Sequence, residues 1–470
     1  MEDLAAGKKI FVFSSYQTIG AGQNLQYKIP DTEKDKIISL CCDRGDDKEK
    51  DFDAIYLGDV TNVITNFSEK KDLTELLTFL FEIRYLYENN EISPRELNEL
   101  VEFGFKAYSK EKNCYNPVDI INTTSARRKL TRDVIQAVGR LCRTNNKKEN
   151  IYIYTNNKLL SKLDVNCVKT DYINPELKAL FDFAKGYFQP LPSEETKLEN
   201  LACRKSEQAN HYIKAMLQRD WNDISMQLWQ ELRECVLKYP TASKEIFDTH
   251  VIVKKFYIPN YENKSVYHYA QRGDFQDIKI NLFQDYSEFK KEIDDDYMPM
   301  IVSEDSARLK KLFAYKGLKQ FFEQRGFATE FGNEDFILCP VLFNNIYKGA
   351  LGEVAGKFIL DNELNTELKE IKNPDYFEFF DFELKDGIYI DFKHWKTDLL
   401  VEKERYTKHI ADKLEKISGK KAYVINILKE ADYEIKQIGS IVEIPYLIDD
   451  NGTVNEKAIK KIAEDIINEK

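Results

Sequence analysis

Residues 377–396 read FEFFDFELKDGIYIDFKHWK, two runs in which apolar and polar side chains alternate, joined by Lys385-Asp386-Gly387. Alternation with a period of two demands extended chain, and a glycine suited to positive φ between the runs demands that they fold back on one another. The pattern predicts a β-hairpin with a three-residue loop. If Leu384 faces Ile388, counting back sets Asp381 directly opposite Asp391, and two carboxylates about 5 Å apart repel unless a cation lies between them. Alternation also places Tyr389, Asp391, Lys393 and Trp395 on one face and Ile388, Ile390, Phe392 and His394 on the other. One face therefore offers hard oxygen ligands for Mg²⁺ beside an ammonium that can orient or deprotonate a water. An Asp-Lys pair on a solvated strand would look the same. Two features argue for a site: Asp381 stands among aromatics, and Glu353 is the one acid of GALGEVAGKF (349–358).

The surroundings of the hairpin give an order of elements. A helix is predicted over GALGEVAGKFILDNEL (349–364), then the two strands, a helix over 399–417, a strand at KKAYVINIL (420–428) and a terminal helix at EKAIKKIAEDIINEK (456–470). With Glu353 on the first helix and Asp381 and Asp391-x-Lys393 on the hairpin, this order resembles the PD-(D/E)xK restriction-endonuclease-like fold over about residues 331–450. The resemblance implies phosphodiester hydrolysis dependent on Mg²⁺ (or Mn²⁺). Asp381 and Asp391 would be metal ligands, Glu353 would bind the ion directly or through water, and Lys393 would serve the attacking water. The literal Pro374-Asp375 keeps Asp375 open as the alternative to Asp381, with turn chemistry as its plainer role. His394 and Trp395 read as core packing or substrate contacts, and Lys396 as a solvated end or a phosphate contact.

The first part of the chain alternates differently. KKIFVFSS (8–15), DAIYLGDV (53–60) and ENIYIYTN (149–156) read as strands and LTELLTFLFEIRYLYE (73–88) as a helix, an interleaving that argues for a parallel sheet. After the first strand comes SSYQTIGAGQNLQY, where Gly20 and Gly22 permit close approach of backbone to a ligand and Thr18, Gln23 and Asn24 supply neutral polar groups. On a helix through DVIQAVGRLCRT (133–144), Gln136, Arg140 and Arg143 would share one face. The order and spacing of TIGAGQNL and QAVGRLCR resemble motifs V and VI of superfamily 2 helicases, over about residues 8–157. The resemblance implies the second RecA-like domain of such a motor. Arg140 and Arg143 would face the ATP phosphates, Gln136 would lie near the nucleotide, and Thr18, Gly20, Gly22 and Asn24 would link nucleotide to strand. No GxxxxGK[ST] loop and no DExD/H box occurs in the sequence. ATP hydrolysis would therefore require a protein partner carrying the first RecA-like domain, and the start of the chain shortly before motif V suits that expectation.

The fold expected is α/β throughout. It comprises a RecA-like parallel-sheet domain over 1–165, a mainly helical connecting region over 166–330, and an α/β restriction-endonuclease-like domain over 331–470. The linker QPLPSEETK (189–197) is a plausible boundary near the start of the helical region. With 470 residues and 43% hydrophobic content the chain can bury several cores, and no apolar run approaches the roughly 20 residues of a membrane span. A cytoplasmic protein with reduced thiols is expected. The net charge of −11 means that any nucleic-acid partner must meet local basic surfaces. SARRKLTR (125–132) and ERYTKHIADKLEKISGKK (404–421) are either such phosphate rails or solvated charged faces. The reading that follows is a DNA nuclease, with RNA left open, attached to half a translocase and acting in restriction or defence against foreign DNA. The alternative is a non-catalytic nucleic-acid-binding subunit that completes a partner's ATPase.

Overall fold

The computed structural model describes residues 2–16, 26–40, 48–60, 72–109, 118–168, 173–189, 193–260, 267–272, 277–281, 286–293, 298–394, 403–430 and 434–467. It is a mixed α/β protein with small parallel and antiparallel sheets, and it divides into two compact units, Met1–Asn200 and Leu201–Lys470.

In the amino-terminal unit, β1 (Ala54–Leu57) and β2 (Tyr152–Thr155) pair in parallel, Ala54 opposite Tyr152 and Leu57 opposite Thr155. Helix α1 (Leu73–Glu88) starts at a capping box in which Asp72 and Glu75 satisfy each other's backbone N–H. Helix α2 (Pro94–Tyr108) does the same with Ser93 and Glu96, and Pro94 occupies its first turn, where no N–H is needed. These two helices bury Phe79, Ile83 and Leu86 against Leu100 and Phe103. Helix α3 (Thr124–Val138) packs Leu130, Val134 and Val138 into a separate core with Leu57 of β1. The strand expected at KKIFVFSS does not form among the described residues. Phe11 and Phe13 are 88% and 94% exposed, so the apolar run lacks the covering surface that a buried strand requires.

In the carboxy-terminal unit, α4 (Asp223–Lys238) belongs to the helical stretch expected from the sequence, but its Trp229, Leu232 and Val236 share one core with α5 (Lys348–Leu364). Within that stretch, VIVKKFYIP (251–259) forms a short helix, Val251–Phe256, followed by the short strand Tyr257–Pro259. Among the described residues six strands form the main sheet: β3 (Lys369–Glu370), β4 (Phe382–Lys385), β5 (Ile388–Lys393), β6 (Lys421–Asn426), β7 (Lys436–Ile438) and β8 (Ile441–Ile444), in the order β3-β4-β5-β6-β8-β7. The β5-β6 and β6-β8 pairs are parallel, and the outer pairs are antiparallel. Ile388, Ile390 and Phe392 of β5 face the core that includes α5 and Ile462 of α7 (Glu456–Ile467). On the opposite face, Tyr389, Ala422 and Val424 pack with Ile410 and Leu414 of α6 (Lys403–Lys416). The sheet is thus covered on both sides, and the polar side chains of β5 point toward the α6 side.

Candidate functional site

The hairpin closes more tightly than the sequence suggested. Lys385 pairs with Ile388, leaving Asp386-Gly387 as the loop with Gly387 at φ +79°, so Leu384 does not face Ile388. A register shift between Glu383 and Lys385 then adds one residue to β4, and Glu383 pairs with Tyr389 and Phe382 with Ile390. The bulge cancels the shorter loop. Continued by one step, the register sets Asp381 beside Asp391, and Asp381 N–H donates to the Ile390 carbonyl at 3.0 Å. The strand expected over FEFFDFEL begins only at Phe382; Phe377–Phe379 form a turn in which Glu378 takes φ +63°.

Asp391 is 4% exposed and its Oδ1 accepts from Lys393 Nζ at 2.7 Å. The Phe392 N–H donates to Asp381 Oδ2 at 2.5 Å. Burial, reinforced by the Asp391 carboxylate, pushes the Asp381 carboxyl up to about 7, although Lys393, Arg233 and the Phe392 N–H act the other way. Asp375 is exposed in the turn Pro374–Tyr376, its N–H donating to Asn373 Oδ1 at 3.0 Å, and takes no part in this cluster.

Glu353 reaches the cluster at one remove. Helix α5 presses close to β5 because its contact side is glycine and alanine: a Cβ at Gly356 would stand 2.5 Å from the Phe392 ring, and one at Gly352 would stand 3.2 Å from His394. The Glu353 carboxylate is taken by Arg233 of α4, whose other terminal nitrogen donates to Glu378 Oε1 at 3.1 Å. Trp229 Nε1 donates to the same oxygen at 2.7 Å. From α6, Lys413 Nζ donates to the Phe379 carbonyl at 3.0 Å. Burial lowers the Lys413 pKa against the pull of the Asp391 carboxylate, and the neighbouring His409 is lowered by burial and by Lys413. Among the described residues no group of three or more His, Cys, Asp or Glu side chains is gathered closely enough to hold a metal ion, which sets the aspartate pair apart from Glu353.

Two side chains at or beside this cluster, Arg233 and Glu378, escaped the reading of the sequence, and two more, His409 and Lys413, entered it only within the charged stretch 404–421. Arg233, Glu378, His409 and Lys413 carry no local pattern that names their partners. The spacing of Trp229 and Arg233 by four residues was the only hint that both face one target. His394 is buried, with Nε2 2.9 Å from the Ala307 carbonyl, which places it in packing; Trp395 and Lys396 lie outside the described residues.

In the amino-terminal unit, Thr18, Gly20, Gly22 and Asn24 lie outside the described residues. Gln136 is exposed on α3, but α3 stops at Val138 and Arg140 sits in a 3₁₀ turn, Gly139–Leu141, so the three side chains do not share a helical face. Arg140 is buried and Arg143 is exposed. Buried Asp51 fixes this segment, accepting from the Arg143 and Thr144 N–H groups at 2.9 and 2.8 Å and from Lys147 Nζ at 2.9 Å.

No protein-family model matches the chain, and no curated protein matches it. Among the described residues no helix is long and apolar enough to cross a membrane.

Proposed function

We propose that the carboxy-terminal unit hydrolyses phosphodiester bonds of nucleic acid, DNA in the first instance, using Mg²⁺ or Mn²⁺ held by Asp381 and Asp391. The observation that carries this reading is the register of β4 and β5, which brings two carboxylates together with Lys393 at their edge. The donor set fits such an ion: both ligands are hard oxygens, and Mg²⁺ commonly takes one or two carboxylates and completes its shell with water and substrate phosphate. When bound, the ion supplies charge neutralisation at the phosphate and acidifies water. Lys393 orients the attacking water and offsets charge on the phosphoryl oxygens. Arg233 holds Glu353 and Glu378 at one remove from the pair, and Lys413 adds a second ammonium on the α6 side. The same reading keeps the amino-terminal unit as the second half of an ATP-driven translocase completed by a P-loop partner, with Gln136 and Arg143 its exposed nucleotide-facing groups.

The test is cleavage of plasmid, single-stranded DNA and RNA by the full chain with Mg²⁺. Asp391→Asn and Lys393→Ala each lower the rate by roughly 100-fold or more, the scale of losing a positioned catalytic group. Cleavage that persists unchanged in both variants overturns the assignment.

A further inference from the structure

The amino-terminal unit carries a groove of about 680 Å³ between α1 and α3 whose two walls differ in chemistry. The α1 wall presents Phe81 and Tyr85, 74% and 59% exposed, one helical turn apart on the side away from buried Phe79 and Ile83. The α3 wall presents Arg128, Lys129 and Arg132. Water alone does not favour two large rings on the outer face of a helix, and a purely apolar partner would leave the three cations with only the long ion pairs they now make. A ligand with flat apolar faces and a repeating negative charge satisfies both walls. We propose that this groove binds single-stranded nucleic acid, bases stacking on Phe81 and Tyr85 and phosphates meeting Arg128, Lys129 and Arg132.

The present partners of the three cations are weak ones. Arg128 Nε lies 3.4 Å from Asp164, Lys129 Nζ 3.6 Å from Glu82, and Arg132 Nε 3.7 Å from Asp133. Ion pairs this long are weak, and Arg128, Lys129 and Arg132 are 65%, 38% and 64% exposed, so an incoming phosphate can reach them; Asp164, 2% exposed, keeps the hydrogen bond from the Asn166 N–H. Among the described residues Glu82 is the one acid lining the groove, against Arg128, Lys129 and Arg132, which makes this lining cationic on a chain whose net charge is −11. The stacking wall selects against duplex, because paired bases show their faces only to one another. Deoxyribose and ribose strands share the chemistry used here, so both are probes.

The inference goes beyond the proposed hydrolysis and is measured apart from it. Fluorescence anisotropy of labelled oligothymidylate and oligouridylate is recorded with the full chain carrying Asp391→Asn, in EDTA, where cleavage plays no part. Phe81→Ala and Tyr85→Ala each weaken binding about 5- to 100-fold, the effect of removing one stacking platform, while Phe81→Tyr retains it. Arg128→Ala with Arg132→Ala lowers the slope of log affinity against log salt by roughly 1.4, about 0.7 for each phosphate contact. All these side chains are at the surface, so the variants keep the parent's melting temperature. Affinity that is unchanged in the alanine variants, or a blunt duplex that binds as tightly as the strands, overturns the inference.

Discussion

At the scale of single residues the proposed site turns on Asp381, a carboxyl held where ionisation is penalised. In the unfolded chain it returns to the ordinary value of 3.8, and in the fold burial and Asp391 move it to about 7. Between those values the folded state holds a proton that the unfolded state has released. Stability therefore falls as pH rises through this window and levels off above it. Asp381→Asn keeps a side-chain oxygen for the Phe392 N–H and removes the titration, so its urea unfolding should show a shallower decline over the same range. Parallel curves for the two proteins would show that this carboxyl is not shifted. A divalent cation held by the pair, as proposed, would reverse the sign of the problem, because it would bind the ionised form and stabilise the fold by mass action. Mg²⁺ at neutral pH should thus raise the unfolding midpoint of the parent protein and leave Asp381→Asn nearly unmoved.

At the scale of elements the hairpin shows what alternation can and cannot reveal. The strand β5, its polar and apolar faces, and the helices α5 and α7 were legible because each rests on a local period. The pairing of Asp381 with Asp391 was also read, but through two compensating departures: a shorter loop and a bulge at Leu384 that no local pattern announced. Arg233 was illegible for a different reason, since its meeting with Glu353 depends on two helices far apart in sequence. KKIFVFSS failed because an apolar run specifies a strand only where something covers it, and Phe11 and Phe13 are exposed. The small residues of α5 permit close approach to β5. Gly356 lies against the Phe392 ring and Ile427, with a hypothetical Cβ only 2.5 and 2.8 Å from them. Gly356→Val should overpack this contact, destabilise the carboxy-terminal unit by about 1–3 kcal/mol and displace the Asp391 strand, lowering both melting temperature and cleavage. Full activity in a destabilised variant would detach the site's geometry from the α5–β5 spacing.

At the scale of the whole molecule the two units differ in what fills them. The amino-terminal unit rests on separate small cores, one around Phe79 and Leu100 and one around Leu130 and Val134. The carboxy-terminal unit has a large continuous core that includes both the helical stretch and one face of the main sheet. Part of the helical stretch thus shares the core of the main sheet, because a helical period tells where a helix is amphipathic and not which neighbour receives its apolar side. Independent cores imply separable unfolding, and calorimetry on the full chain should resolve more than one transition. The assignment of each transition follows from variants placed in one core only. Leu130→Ala removes a side chain that is 2% exposed and should lower the transition of the amino-terminal unit alone, by roughly 5–15 °C for a loss of about 2–5 kcal/mol. Gly356→Val should lower the other and leave the first in place. A single transition in which either variant shifts the whole curve would mean that the two units unfold as one cooperative body.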